Sequence, residues 1–175
     1  AAEVLNQAPK LLSAVYQQNA STDQNWTVQF SASAGGMQDF QNYIGVVSKA
    51  EEAANAERYE PPPVASNYVS LGVLADNGNR LAASYAAPVT TVKSWLLNLS
   101  SDLKDNILLS WNNLESVPEK YGAYLVGLPQ GPVDMRKSSS SVLAAGSALN
   151  LTVAVGLPEY LAAFLSPNLD KSQTF

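Results

Sequence analysis

The chain has no cysteine and no histidine among its 175 residues. Without thiols there is neither a disulfide framework nor a thiolate metal site. Without imidazole, the Ser-His-Asp and Cys-His nucleophile systems, histidine-ligated zinc or copper, and the side chain best matched to proton transfer near neutrality all fall away. Charge is sparse too. Charged residues make up 14% of the chain, roughly half the usual share, and the net charge is -5. The longest basic run is Arg136-Lys137, so a surface that tracks phosphates has no electrostatic basis and nucleic acid is not an expected partner. No apolar run approaches the ~20 residues that span a bilayer as a helix, and no transmembrane segment is expected. The start AAEVLNQAPK lacks the basic and apolar regions of a signal peptide, and reads as the start of a mature product or of a fragment.

What remains is hydrophobic, at 46% of residues, and rich in small polar side chains. A chain of this length buries a core without staples, so residues 1–175 are read as one domain. Successive side chains on a strand face opposite sides. In SALNLTVAVGL, Leu149, Leu151, Val153, Val155 and Leu157 fall on one face. Ile107, Leu109 and Trp111 share a face, as do Trp95, Leu97 and Leu99. Further strands are predicted at 11–16, 26–32, 43–50, 68–74, 80–86, 123–128 and 133–137. Asn77-Gly78 suits a type I′ turn with two residues at positive φ, making 68–74 and 80–86 a hairpin. Residues 107–141 read as a meander of adjacent strands joined by prolyl turns, and the proline-rich 60–67 as a crossing between sheets. Helix formers crowd 48–59, and Pro158 suits the first turn of a helix within 157–169. About ten strands at short spacing without alternating long helices predict an all-β fold. The expected form is an antiparallel β-sandwich, jelly-roll or immunoglobulin-like, with one or two short helices.

Candidate chemistry is thin. Glu51, Glu52, Glu57 and Glu60 cluster at the predicted helix and its exit, other acids are expected in turns, and Asp134 alone falls in a predicted strand. A pair converging on one cleft, as glycoside hydrolysis needs, is not announced, so the acids read as solvated charges and no enzymatic role is expected. Neither is any cofactor. For a hard cation, Asp76, Asn77 and Asn79 in one turn and Asp102 and Asp105 in another carry oxygen donors, but without EF-hand spacing, and Asx turns account for them. A sugar-stacking platform would draw on Trp26, Tyr59, Tyr85 and Tyr121, at strand starts or in loops. Four N-x-S/T sequons, at Asn19, Asn25, Asn98 and Asn150, are candidate glycosylation sites.

The order GGMQDFQNYIGVV, EPPPVASNYVSLGV, ILLSWNNLESVP, YGAYLVGLPQGPVDMRKSSS and LNLTVAVGLP, over residues 25–158, resembles a β-sandwich module of large modular bacterial surface or secreted proteins. In those proteins the module lies near a C-terminal sorting or immunoglobulin-like domain. After Leu71 the chain departs from that pattern, reading GVLADNGNRLAASYA in place of an aromatic and proline-rich stretch. The resemblance implies an extracellular or cell-surface structural unit without an active site. The expected function is therefore surface presentation or self-assembly with copies of itself or neighbouring domains. Residues 1–20 and 159–175 would be tails that join a neighbouring subunit, as in a filament, or pack back on their own sheet. Glycan binding through exposed aromatics is the alternative.

Overall fold

A computed structural model describes residues 25–165. The expected tail 1–20, the strand at 11–16 and Asn19 lie outside the described residues, as do residues 166–175.

The fold is all-β with two short helices. Its strands are β1 (Trp26–Ala34), β2 (Met37–Val46), β3 (Arg58–Tyr59), β4 (Val69–Leu74), β5 (Arg80–Ala86), β6 (Val92–Ser101), β7 (Ile107–Asn112), β8 (Gly122–Val126), β9 (Val133–Asp134), β10 (Ser140–Leu143) and β11 (Ala148–Gly156). Helix α1 (Ala50–Ala56) follows β2, and α2 (Pro158–Leu165) follows β11 with Pro158 at its start. No helix among the described residues is long and apolar enough to cross a membrane.

One hydrogen-bonded path runs β10-β7-β1-β2-β5-β4-β6-β11-β8-β9, with β3 attached to β5. Its inner face holds the alternating residues. Trp26, Val28 and Phe30 of β1, Trp95, Leu97 and Leu99 of β6, Ile107, Leu109 and Trp111 of β7, and Leu151, Val153 and Val155 of β11 form one buried cluster. A single core served by strands from the whole path requires the sheet to curl, and it does so into a half-barrel. The two ends of the path, β9 and β10, are separated in sequence by only Met135–Ser139. That link is pinned on each side. Met135 N–H donates to the Ala123 carbonyl, Trp111 N–H to Ser139, and the Trp111 indole N–H to the carbonyls of Met135 and Ser138.

Three expectations are corrected. The sheet is mixed and not wholly antiparallel: Tyr43–Val46 of β2 run parallel to Ala83–Ala86 of β5, because the chain crosses by way of α1, β3 and β4 before β5 returns beside β2. Residues 107–141 are not a meander of three neighbours. β7 pairs with β1 and β10, whereas β8 pairs with β11 and β9. The link between β7 and β8 buries Leu114, Val117 and Tyr121, and the Arg136 side chain ties it by donating to the carbonyls of Val117, Pro118 and Tyr121. Anchored in this way, the link carries the chain across the core instead of turning it back. The β4–β5 hairpin forms, but Gly78 is at φ +82° while Asn77 is not at positive φ. Its loop is a turn closed by Gly78 N–H to Ala75, with Asn79 N–H on the Asn77 side chain, and the type I′ geometry does not form.

Helix α2 packs on its own sheet. Leu161 is buried and rests on Gly122, where an added Cβ would lie 2.7 Å from its Cδ1. For residues 158–165 the tail therefore folds back.

Candidate functional site

A bulge in β2 creates the most distinctive surface. Phe30 pairs with Asn42 and Ala32 with Asp39, so β2 carries one extra residue opposite Ser31. Such an insertion bends a strand and re-aims its side chains. Here Asp39 takes the register of Ala32, while Phe40 is 52% exposed. Asp39 then receives Asn42 Nδ2 at 2.6 Å and the Leu71 backbone N–H at 2.7 Å. The second bond matters to the ladder. β5 pairs with β4 only at Val73 and Leu74, so beyond Val73 an N–H of β4 needs another acceptor, and Asp39 supplies it.

Beyond the bulge, β2 parts from β5 and β3 sits beside Leu81 and Ala83, held by Glu60 N–H to the Arg80 carbonyl. Between β2 and the segment 58–64 lies a cleft of about 660 Å³, bordered also by Tyr68, Val69, Ser70, Ala82 and Ala83. Prolines 61–63 stiffen one side. Tyr59 is 74% exposed.

Glu60 is half-buried in this cleft. Its carboxyl is raised to about 7, first by burial, then by the charge of Asp39, with Arg80 pulling it back. Arg80 is occupied elsewhere: its guanidinium donates to Ser70 Oγ, the Asn98 side chain and the Asn98 carbonyl, and Asn98 donates on to Asn150. This polar strap crosses β4, β6 and β11. Its path needs Gly72, where an added Cβ would meet Arg80 Cγ at 2.8 Å.

A pH dependence follows from the sign of the Glu60 shift. The folded chain holds this proton more tightly than the unfolded chain. Its contribution to stability is complete below the ordinary carboxylate value of 4.5 and is lost as pH rises through about 7. Asp39, Arg80 and exposed Arg58 are the charged groups around it. Urea midpoints should thus fall more steeply between about pH 5 and about pH 8 in the parent chain than in Glu60→Gln. Parallel slopes for the two proteins would show that Glu60 is not held as described.

No protein-family model, curated protein sequence or solved structure matches this chain. Its chemistry is read from its own residues.

Of the four aromatics expected to form a platform, Tyr59 alone stands in solvent. Trp26, Tyr85 and Tyr121 are buried, the Tyr85 hydroxyl accepting from Thr27 Oγ1 and Tyr121 donating to the Val89 carbonyl. The structure sets Phe40, Tyr43 and Tyr68 around the cleft with Tyr59 instead. Period-two reading missed Phe40 because the bulge shifts the phase of β2, and it missed Glu60 by treating it as a solvated charge. EPPP, an acid followed by a proline run, was the available signal.

The oxygen donors do not converge. Asp76, Asn77 and Asn79 follow Leu74 of β4, whereas Asp102 and Asp105 follow Ser101 of β6. Leu74 pairs with Leu96 and Val69 with Ser101, so the two loops lie at opposite ends of that antiparallel pair. The Asp102 oxygens accept the N–H groups of Tyr68 and Asn67, which hold its carboxyl below the usual range. Among the described residues no three acids gather to hold a metal. Asn25 accepts Ser48 N–H, and Asn98 and Asn150 are cross-strand partners bonded through their amides.

Proposed function

We propose that the chain is a non-catalytic module of an extracellular or cell-surface protein, and that its working surface is the cleft beside β2, which takes an extended carbohydrate. The observation that carries this reading is the exposure of Tyr59 on β3 and Phe40 on β2, two of the strands that border the cleft. A sugar offers an apolar ring face to an aromatic side chain and a rim of hydroxyls to planar polar groups. Gln38, Gln41, Asp39 and Glu60 are such groups in the cleft. Its volume falls within the ~300–1,000 Å³ of small-molecule sites. The scaffold suits this role when read as a sandwich, with β10-β7-β1-β2 and β4-β6-β11-β8-β9 as layers over one core and β5 joining them by pairing with β2 on one side and β4 on the other. The likeness to modules of bacterial surface proteins fits the same setting.

The test is retention on immobilised polysaccharides. Tyr59→Ala is expected to weaken binding about tenfold, through lost ring area and stacking, without changing the denaturation midpoint. A parent chain that no polysaccharide retains would refute the reading.

A second reading, assembly between copies, draws on the sheet edge. Val142 of β10 and Leu108 of β7 are exposed cross-strand partners on the outer face at the end of the path. An edge strand with apolar neighbours invites pairing. Concentration-dependent sedimentation that Val142→Lys abolishes would support it.

A further inference from the structure

Resting on the carbohydrate reading of the cleft, we propose that its ligand carries free amino groups: an amino-sugar oligomer that stacks on Tyr59 and pairs an ammonium with the Glu60 carboxylate.

The argument begins with what Glu60 lacks. It is half-withdrawn from water, it stands near Asp39, and among the described residues it forms no ion pair. The nearby cation, Arg80, is committed to Ser70 and Asn98. Asp39 is committed as well, with one oxygen on Asn42 and the other on the Leu71 N–H. Glu60 is therefore the acid in the cleft with acceptor capacity to spare.

The consequence for ligand choice is electrostatic. A neutral sugar covering the cleft strips more water from Glu60 and offers no counter-charge, so it meets a desolvation cost that its hydroxyls offset only in part. An ammonium at the same place supplies the missing charge and donors. It also relieves the repulsion between Glu60 and Asp39. Arg58 borders the cleft too, but it is exposed and its repulsion is screened by water and salt. An acidic sugar finds the reverse conditions and is disfavoured.

The experiment is calorimetry on the full chain at low salt, with oligomers of equal length of β-1,4-linked glucosamine, N-acetylglucosamine and glucose. The glucosamine oligomer is expected to bind on the order of tenfold more tightly than the other two, as one charge-assisted hydrogen bond supplies, and to lose that margin as salt rises. Glu60→Gln, checked for an unchanged fold by circular dichroism, should erase the margin, because the glucosamine oligomer loses its counter-charge while the neutral oligomers no longer have a carboxylate to desolvate. Tyr59→Ala should weaken all three. Equal affinities, or a margin that survives Glu60→Gln, would overturn the inference and leave the carbohydrate reading standing. Binding of none of the three, nor of any polysaccharide in the retention assay, would remove both.

Discussion

Trp26→Ala is expected to lose about 3–5 kcal/mol of folding stability, the range for deleting a large buried aromatic. The side chain is wholly buried and meets Trp95 edge to face, with ring centroids 5.6 Å apart and planes at 73°. Trp26 opens β1 and Trp95 lies on β6, four strands away along the path. Their contact thus spans the curl and joins strands that share no ladder. Against a total of about 5–15 kcal/mol for a typical domain, its loss leaves little margin at 37 °C. Trp26→Phe separates packing from polarity. The Trp26 indole N–H is buried without a partner, and an unmade hydrogen bond of this kind costs about 1–3 kcal/mol. Phenylalanine removes that cost while keeping much of the ring, so it should sit far closer to the parent than alanine. Urea midpoints at constant m check the pair. An alanine variant within about 1 kcal/mol of the parent would mean that the two halves do not depend on this contact. Because the ring is buried, Trp26→Phe should also leave glycan retention unchanged.

How much of this was legible depended on whether a strand shows one face to one core. β6, β7 and β11 do, and Trp95-Leu97-Leu99, Ile107-Leu109-Trp111 and Leu151-Val153-Val155 were read correctly from alternation alone. β2 does not. Its bulge puts Asn42 and Asp39 out of step, so MQDFQNYIGVV shows no clean period, and the strand begins at Met37, well before the predicted residue 43. β5 was placed at its full extent, 80–86, but its packing was not legible. Leu81 belongs to the main core, but Ala83 and Tyr85 join Val47 in a second cluster with Ala53 and Ala56 of α1. One strand thus serves two clusters, and nothing in RLAASYA signals the change. The serines at 138–141 hid β10, because Ser140–Leu143 pair with β7 through backbone groups, which sequence patterns do not report. The cleft shared this fate. It arises where β2 parts from β5 and β3 pairs with β5 instead, a property of pairing registers and not of composition. Tyr59 was named because it lies where an exposed aromatic can be useful, whereas Tyr85 was named on the same grounds and is covered.

The burial of Tyr85 leads to the second large effect. Gly45 lies between Thr27 of β1 and Tyr85 of β5 in the two ladders. A Cβ there would stand 2.2 Å from the Trp26 carbonyl oxygen, 2.8 Å from Thr27 Oγ1 and 2.9 Å from Tyr85 Cε1. The absent side chain is what admits the Tyr85 ring and lets its hydroxyl reach Thr27. Overpacking a core usually costs about 1–3 kcal/mol, when neighbours yield by changing rotamer. A backbone carbonyl has no rotamer, and this one belongs to the residue paired with Val46 at the start of β1. Gly45→Ala is therefore expected at or above about 3 kcal/mol, the top of that range. Adding Tyr85→Ala distinguishes the causes. Removing the ring opens space on one side but leaves the Trp26 oxygen in place, so the double variant should stay at least as unstable as Gly45→Ala. Recovery of the midpoint in the double variant would place the obstruction at the ring, and would mean that β1 and β2 yield at Gly45 more readily than their shared register implies.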